Sequence, residues 1–284
     1  MPLTPNELAQ FEEDGCVTIV NYLDKFTVKK LNAEIEKLLE VSNIDNHPKI
    51  KFTTGKDKDG HIGDKYFFDS SDKIHYFFEP EAISEETHEL KVPVSKAVNK
   101  IGHGLHFLND EFNAVTVTDD VASICRQLGL RDAKAVQSMC VIKQPHIGAE
   151  VPPHNDAEFL YTDPVSCKLP LQKRFVKDMK KGFGTKFAKL DDPKADYVEP
   201  AEAKDKFSDD SLFKKVIIPA GTLVLINGSL IHKSGKNLSD NSRNAYTFHA
   251  VDGTAAYDEY NWLQIPPAHP AGSANFTRLY KNFE

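Results

Sequence analysis

Long apolar runs are missing from these 284 residues. None approaches the roughly 20 residues that a bilayer-spanning helix needs, so no membrane span is expected. An excess of basic charge is missing as well. The net charge is −7, whereas a nucleic-acid or anionic-membrane surface needs a basic face, so no nucleic-acid partner is expected. Cysteine is sparse: Cys16, Cys125, Cys140 and Cys167 lie far apart and form no C-x-x-C pair. That excludes a zinc ribbon and a disulfide framework, and each thiol reads as a small buried hydrophobe in a reducing compartment. The opening "MPLTPNELAQFEEDG" is acidic and amphipathic rather than a signal or transit sequence, and the closing "YKNFE" is no peroxisomal address. The expected location is cytoplasmic.

What is present is an ordinary globular composition, 40% hydrophobic and 27% charged, long enough for one large domain or two small ones. Thr4 and Pro5 predict an N-cap and first helical turn ending at Gly15, followed by a short β-branched strand, "CVTIV", and a helix, "TVKKLNAEIEKLLEVS". Residues 45–63 are turn-rich and predict an exposed loop. "KYFFDSSDKIHYFFE" predicts two short strands around a Ser-Ser-Asp turn, with His75 a satisfied strand residue. "VSKAVNKIGHGLHFLNDEFNAVT" and "DDVASICRQLGL" read as helical, Gly129 stopping the second, with His103 and His106 packing or capping. From residue 133 the period changes to two. "AKAVQSMCVIKQ" is a long strand, the chain from about 165 to 210 is lysine-rich and irregular, and strands return in "TLVLINGSLIHKSGKNLSDNSRNAYTFHAVD". The pattern predicts a single α+β domain over 1–284. Residues 1–132 supply helical support and flanking strands, and an all-β sandwich or barrel at 133–266 carries the function.

The candidate chemistry begins in "EVPPHNDAEFLY", where His154 and Asp156 form His-x-Asp. In a chain with 11 His and 24 Asp about one such pair arises by chance, and a solvated turn after Pro152–Pro153 explains it as well. Conjunction changes the weighing. His232 follows the strand-turn "TLVLINGSL", and Arg243 opens the strand "NAYTFHAV" 11 residues later. Arginine is scarce here, five against thirty lysines, so that spacing is expected by accident only about one time in five. Two histidines and one carboxylate are the ligand set of the non-haem iron(II) facial triad, which leaves open positions for a 2-oxo acid and O2. The far carboxylate of 2-oxoglutarate then needs a cation away from the metal. Arg243 suits it, because its planar fork matches a carboxylate with two N–H groups. Ser234 can add a hydroxyl donor.

Two other readings stand beside this one. The same three ligands could hold Zn²⁺ with one water, as in a hydrolase, which would need a general base and has no use for a distant arginine. Alternatively the chain is a catalytically inactive jelly-roll binding protein, its His-x-Asp merely decorating a turn. Aerobic formation of succinate from 2-oxoglutarate separates the three.

The runs "LAQFEEDG", "SSDKIHYFFE", "NKIGHGLH", "VQSMCVIKQPHIGAEVPPHNDAEFLYTDP", "IHKSGKNLSDNSRNAYTFH" and "NWLQ" resemble the phytanoyl-CoA dioxygenase family over most of the chain. The resemblance implies a double-stranded β-helix (jelly roll) with N-terminal helical support. It implies an oxygenase that couples 2-oxoglutarate decarboxylation to oxidation of a substrate. It makes His154, Asp156 and His232 ligands of Fe(II), and Arg243 the anchor of 2-oxoglutarate. Lys100, Met139 and Ser234 would line the co-substrate pocket, the first two on the resemblance alone. The expected partner is a small, lipid-like molecule of unstated identity, and the chain is expected to be a monomer.

One departure from the family pattern stands out. After His-x-Asp the family continues with a Trp-bearing apolar strand, an N-G-x-L turn and a P-G-S-H segment. Here "YTDPVSC" passes directly into "KLPLQKRFVKDMKKG", the only Trp is Trp262, and the only Asn-Gly is Asn227–Gly228. About two dozen residues, roughly two core strands, are missing from the pattern, which predicts a more exposed site, lower stability and weakened activity.

Overall fold

Thr4 opens the first helix through a reciprocal cap. Its hydroxyl accepts from the Glu7 amide, and the Glu7 carboxylate accepts from the Thr4 amide at 2.7 Å, with Pro5 pre-set for the first helical position. Gly15 ends the helix in the left-handed region, φ 72°. The computed structural model describes residues 1–41, 48, 65–164, 173–178, 184–198, 200, 207–264 and 275–281. Its helices are Pro5–Asp14 (α1), Lys25–Val41 (α2), Lys65–Phe68 (α3), Val94–Ala97 (α4), Leu105–Leu108 (α5), Asp110–Thr116 (α6) and Asp119–Gln127 (α7). Its strands are Cys16–Ile19 (β1), Ile74–Phe78 (β2), Val98–His103 (β3), Ala133–Lys143 (β4), Val151–His154 (β5), Thr162–Asp163 (β6), Lys173–Lys177 (β7), Thr185–Lys189 (β8), Leu223–Ile226 (β9), His232–Ser234 (β10), Arg243–Asp252 (β11), Ala256–Tyr257 (β12) and Thr277–Arg278 (β13). The expected loop at 45–63 and Cys167 lie outside the described residues.

The main sheet runs β11-β4-β3-β2, all antiparallel, with β13 also on β4. Residues directly opposite in an antiparallel pair share a face, so the register sorts the side chains. Tyr76, Phe78, Ile101, Cys140 and Ile142 pack against Leu31, Ile35, Leu105 and Phe112 of the helices. The opposite face carries the pairs Arg243–Lys143, Ala245–Val141, Thr247–Met139 and His249–Gln137, continuing through Val141–Lys100 to Lys100–Phe77. Beyond that face lie the short ladders β5–β10 and β7–β8 and a second core built from Phe67, Phe77, Leu160, Phe175, Val251 and Trp262. The result is two β layers with helices outside one of them, an α+β sandwich.

Three sequence expectations need correction. Lys65–Phe68 is one helical turn, not a strand; it places Phe67 in the second core while the Tyr66 hydroxyl takes the Tyr76 amide at 2.9 Å. Val98–His103 is a central strand, not part of a helix. All six residues are buried, so no polar alternation marks the strand in the sequence. The stretch from 165 to 210 is not irregular throughout. Lys173–Lys177 pairs with Thr185–Lys189, and Phe175, Val176 and Ala188 are buried. Phe175 and Phe187 close on Phe159, the third residue after Asp156, at ring distances of 5.1 and 5.8 Å. Arg174 is buried too, donating to Asp258 at 2.6 Å and lying 4.5 Å over the Tyr161 ring. Aromatic packing against the segment after Asp156 therefore organises a stretch whose lysines suggested solvent.

Phe175 carries the test of that correction. Truncating a buried Phe to Ala costs about 3–5 kcal/mol, so Phe175→Ala should lower the free energy of urea unfolding by that order. A loss under about 0.5 kcal/mol would make the hairpin a surface feature.

Candidate metal centre

Pro152 and Pro153 fix an extended backbone through β5 and deliver His154 at its end. Asn155 then caps the 3-10 turn Asp156–Glu158, its side-chain oxygen accepting from the Glu158 amide at 3.2 Å. The neighbouring Ala157 amide donates to the Gly228 carbonyl at 2.9 Å, which ties this turn to the Asn227–Gly228 turn before β10. β10 runs antiparallel to β5 with His232 directly opposite His154. The two imidazoles stand 4.3 Å apart between ring centroids.

His154, Asp156 and His232 each offer one ligand atom, all within 4.8 Å of one another, the one such group of three among the described residues. Asp156 Oδ1 is 3.7 Å from His154 Nε2, and Oδ2 is 4.0 Å from His232 Nε2. Both rings are held through the other nitrogen. Nδ1–H of His154 donates to the Pro152 carbonyl at 2.9 Å, and Nδ1–H of His232 to the Leu230 carbonyl at 3.0 Å. A carbonyl accepts only, so each Nδ1 keeps the proton and each Nε2 lone pair is left facing Asp156. Burial first, and then the neighbouring His232, push the His154 imidazole below its usual range and so favour the neutral ligand form. Burial alone would raise the Asp156 carboxyl. The surrounding imidazoles, His249 first and then His232 and His154, and a hydrogen bond from His249 outweigh it and hold the carboxyl well below the usual range. The set is two imidazole nitrogens and one carboxylate, each about a quarter exposed at the side chain (24, 28 and 26%).

The other candidates fall into place by strand register. Arg243 Nη2 donates to Ser234 Oγ at 3.0 Å, which joins the start of β11 to the end of β10. Met139 and Lys100 lie on the same face of the main sheet as Arg243. Lys100 is 3% exposed, its ammonium 5.0 Å from the Phe77 ring centroid, and burial pushes its pKa well down. His103 and His106 are buried away from the cluster, their Nδ1 atoms at 2.7 Å from Ser70 Oγ and 2.8 Å from Ser138 Oγ. His75 stacks on Tyr66 as a strand residue. Two groups escaped the sequence reading. His249 Nε2 lies 3.5 Å from Asp156 Oδ2. Lys143, opposite Arg243, is 2% exposed and donates to the carbonyls of Ala149, Ser234 and Gly235. Alternation along β11 from Arg243 would have found His249, since residues 243, 245, 247 and 249 share a face.

The fold is one found among solved structures of low sequence identity. The chain superposes on the epimerase SnoN, solved in complex with Fe3+, alpha ketoglutarate and nogalamycin RO, with a TM-score of 0.56, 15% identity and coverage of 97% of this chain and 98% of that one. EctD from S. alaskensis with bound Fe gives a TM-score of 0.52 at 15% identity, over 91% of this chain and 80% of that one. At these identities the likeness defines the fold, the α+β jelly roll. The family model described as Phytanoyl-CoA dioxygenase matches residues 11–177 and 170–245. The "Phytanoyl-CoA dioxygenase domain-containing protein 1 homolog" of Caenorhabditis elegans is 35% identical over 96% of this chain and 98% of its own, and the "Phytanoyl-CoA dioxygenase domain-containing protein 1" of Bos taurus is 34% identical over 94% and 97%. The chain belongs to the phytanoyl-CoA dioxygenase family. No helix among the described residues is long and apolar enough to cross a membrane.

Asp156 is the cluster's one anionic donor, and neutral imidazoles alone hold a divalent first-row ion poorly. Asp156→Ala should therefore lower Mn(II) affinity, measured anaerobically by calorimetry, about a hundredfold or more, with the far-UV circular dichroism unchanged. Parent-like affinity in the variant would contradict the three-residue site.

Proposed function

We propose that this chain is an Fe(II)- and 2-oxoglutarate-dependent dioxygenase that oxidises a small-molecule substrate. The observation that carries the proposal is the convergence of His154 Nε2, His232 Nε2 and the Asp156 carboxylate, with both Nδ1 atoms committed to backbone carbonyls. Two imidazoles and one carboxylate fit iron(II) by donor type and leave positions open. When bound, iron(II) supplies the activation of O2 that turns 2-oxoglutarate into succinate and CO2 while one oxygen atom goes to the substrate.

The protein's part is binding and orientation. Arg243 presents two parallel N–H groups to the far carboxylate of 2-oxoglutarate, and Ser234, already in contact with Arg243, offers its hydroxyl to the same group. Met139 forms an apolar wall and Lys100 a buried amine on the same sheet face. A zinc hydrolase gains nothing from an arginine placed this way, and the Arg243–Ser234 pair is the feature that favours the oxygenase reading. The likeness of the Fe- and alpha-ketoglutarate-bound SnoN in fold supports it as well.

The proposal is tested by succinate formation from 2-oxoglutarate in air, dependent on added Fe(II). Arg243→Lys should raise the 2-oxoglutarate KM about tenfold, since an ammonium cannot reproduce the fork, while Mn(II) affinity stays at the parent value. An unchanged KM would make Arg243 an ordinary exposed arginine. A complete lack of Fe(II)-dependent succinate would overturn the oxygenase reading.

A further inference from the structure

The fourth histidine beside the cluster has no place in the ligand set. His249 sits on β11 directly opposite Gln137 on β4, and the register shifts between His249 and Ala250. Such a bulge re-aims the side chain beside it. Here His249 Nε2 stands 3.5 Å from Asp156 Oδ2, and the imidazole is 21% exposed. Its other nitrogen, Nδ1, is 3.2 Å from the Gln137 side-chain nitrogen, and Gln137 is 4% exposed.

These contacts define a relay of direction. An amide nitrogen can only donate, so His249 Nδ1 accepts from Gln137, the neutral ring carries its proton on Nε2, and that N–H faces Asp156. The opposite orientation of Gln137 would place a carbonyl oxygen against Nδ1. A neutral ring would then turn a bare nitrogen lone pair toward the carboxylate, which is unfavourable for a ring outside the ligand set, with no shared ion to offset the repulsion. His154 and His232 differ on this point: their Nδ1 atoms meet carbonyls, which leaves Nε2 bare, whereas the Nδ1 of His249 meets an N–H, which leaves Nε2 protonated. Three histidines around one carboxylate are thus sorted by their second hydrogen bonds into two acceptors and one donor.

We propose that His249 is a positioning residue that occupies Oδ2 of Asp156, so that the carboxylate meets the metal through Oδ1 alone. A carboxylate with both oxygens free can swing or chelate. With Oδ2 committed to His249, Asp156 takes one coordination position and leaves the rest for 2-oxoglutarate and O2. The inference rests on the metal reading of His154, Asp156 and His232 and goes beyond it, because His249 touches no metal.

The probe is Mn(II) alone, titrated anaerobically into full-length protein, with 2-oxoglutarate kinetics as a second readout. His249→Leu keeps bulk and removes the N–H; partners of metal ligands are typically worth 10–100-fold in affinity, and a loss of that size is expected. His249→Gln places an amide N–H near the former Nε2 and should restore Mn(II) affinity to within about threefold of the parent. In an Asp156→Ala background, His249→Leu should change Mn(II) affinity no further, since the oxygen it held is gone; a merely structural loss would add. The 2-oxoglutarate KM should rise less than kcat falls, because His249 does not contact the far carboxylate. Parent-like Mn(II) binding by His249→Leu, or equal losses in the Leu and Gln variants, would overturn this inference while leaving the metal centre intact. A parent protein that binds no Mn(II) would overturn both.

Discussion

The centre depends on one alignment, His154 opposite His232 across a ladder only a few residues long. That ladder is poor in its own hydrogen bonds, because Pro152 and Pro153 contribute no N–H and the register shifts between His232 and Ser234. Lys143 compensates. Its ammonium donates to the Ala149 carbonyl just before β5 at 2.5 Å, and to the Ser234 and Gly235 carbonyls at the end of β10 at 3.3 and 2.9 Å. One side chain thus clasps both histidine strands. Burial, and then the charge of Arg243, push its pKa down to about 8, against Glu79 and Glu150. Glu79 also accepts from the Ala149 amide at 3.1 Å and so holds the same turn from the other side. A buried ammonium is costly unless its donors are used, and here three carbonyls use them.

The main sheet explains why helices and site do not compete for the same residues. Along most of β4, alternate positions face either the helices or the centre. Near the middle, Gln137 pairs with His249 and Ala135 with Ala250, so Val136 is the extra residue of a bulge. Beyond it Val136 joins the core that holds Phe175 and Trp262, while Ala133 and Ala135 pack with Val121 and Cys125 of α7. The bulge therefore lets one strand present Gln137, Met139 and Lys143 to the centre and still seat α7 with small residues.

Much of this was legible in the sequence. The Thr4 cap, the Gly15 and Gly129 stops, the long β4 strand and the convergence of His154, Asp156 and His232 follow from local chemistry and residue type. What escaped did so for physical reasons. Val98–His103 is buried on both faces and so lacks the period that marks a strand. The β7–β8 hairpin looked solvated because its strands carry as many lysines as apolar side chains, and its partners Asp258 and Trp262 lie far along the sequence. Lys143 escaped because its role arises from cross-strand register, which no single segment encodes, whereas His249 lay within reach of the period-two alternation from Arg243 along one strand. The departure from the family pattern after His-x-Asp was plain in the sequence. That a lysine-rich hairpin would pack aromatics against the segment after Asp156 was not.

The proposed function requires two imidazole nitrogens and one carboxylate of this chain to hold a single divalent ion. Crystals soaked anaerobically in Mn(II) would test it most directly through an anomalous difference map. One peak between His154 Nε2, His232 Nε2 and Asp156, with Arg243 outside the coordination sphere, is the expected result. A fully loaded protein with no peak there, or with its ion on another group of side chains, would contradict the claim.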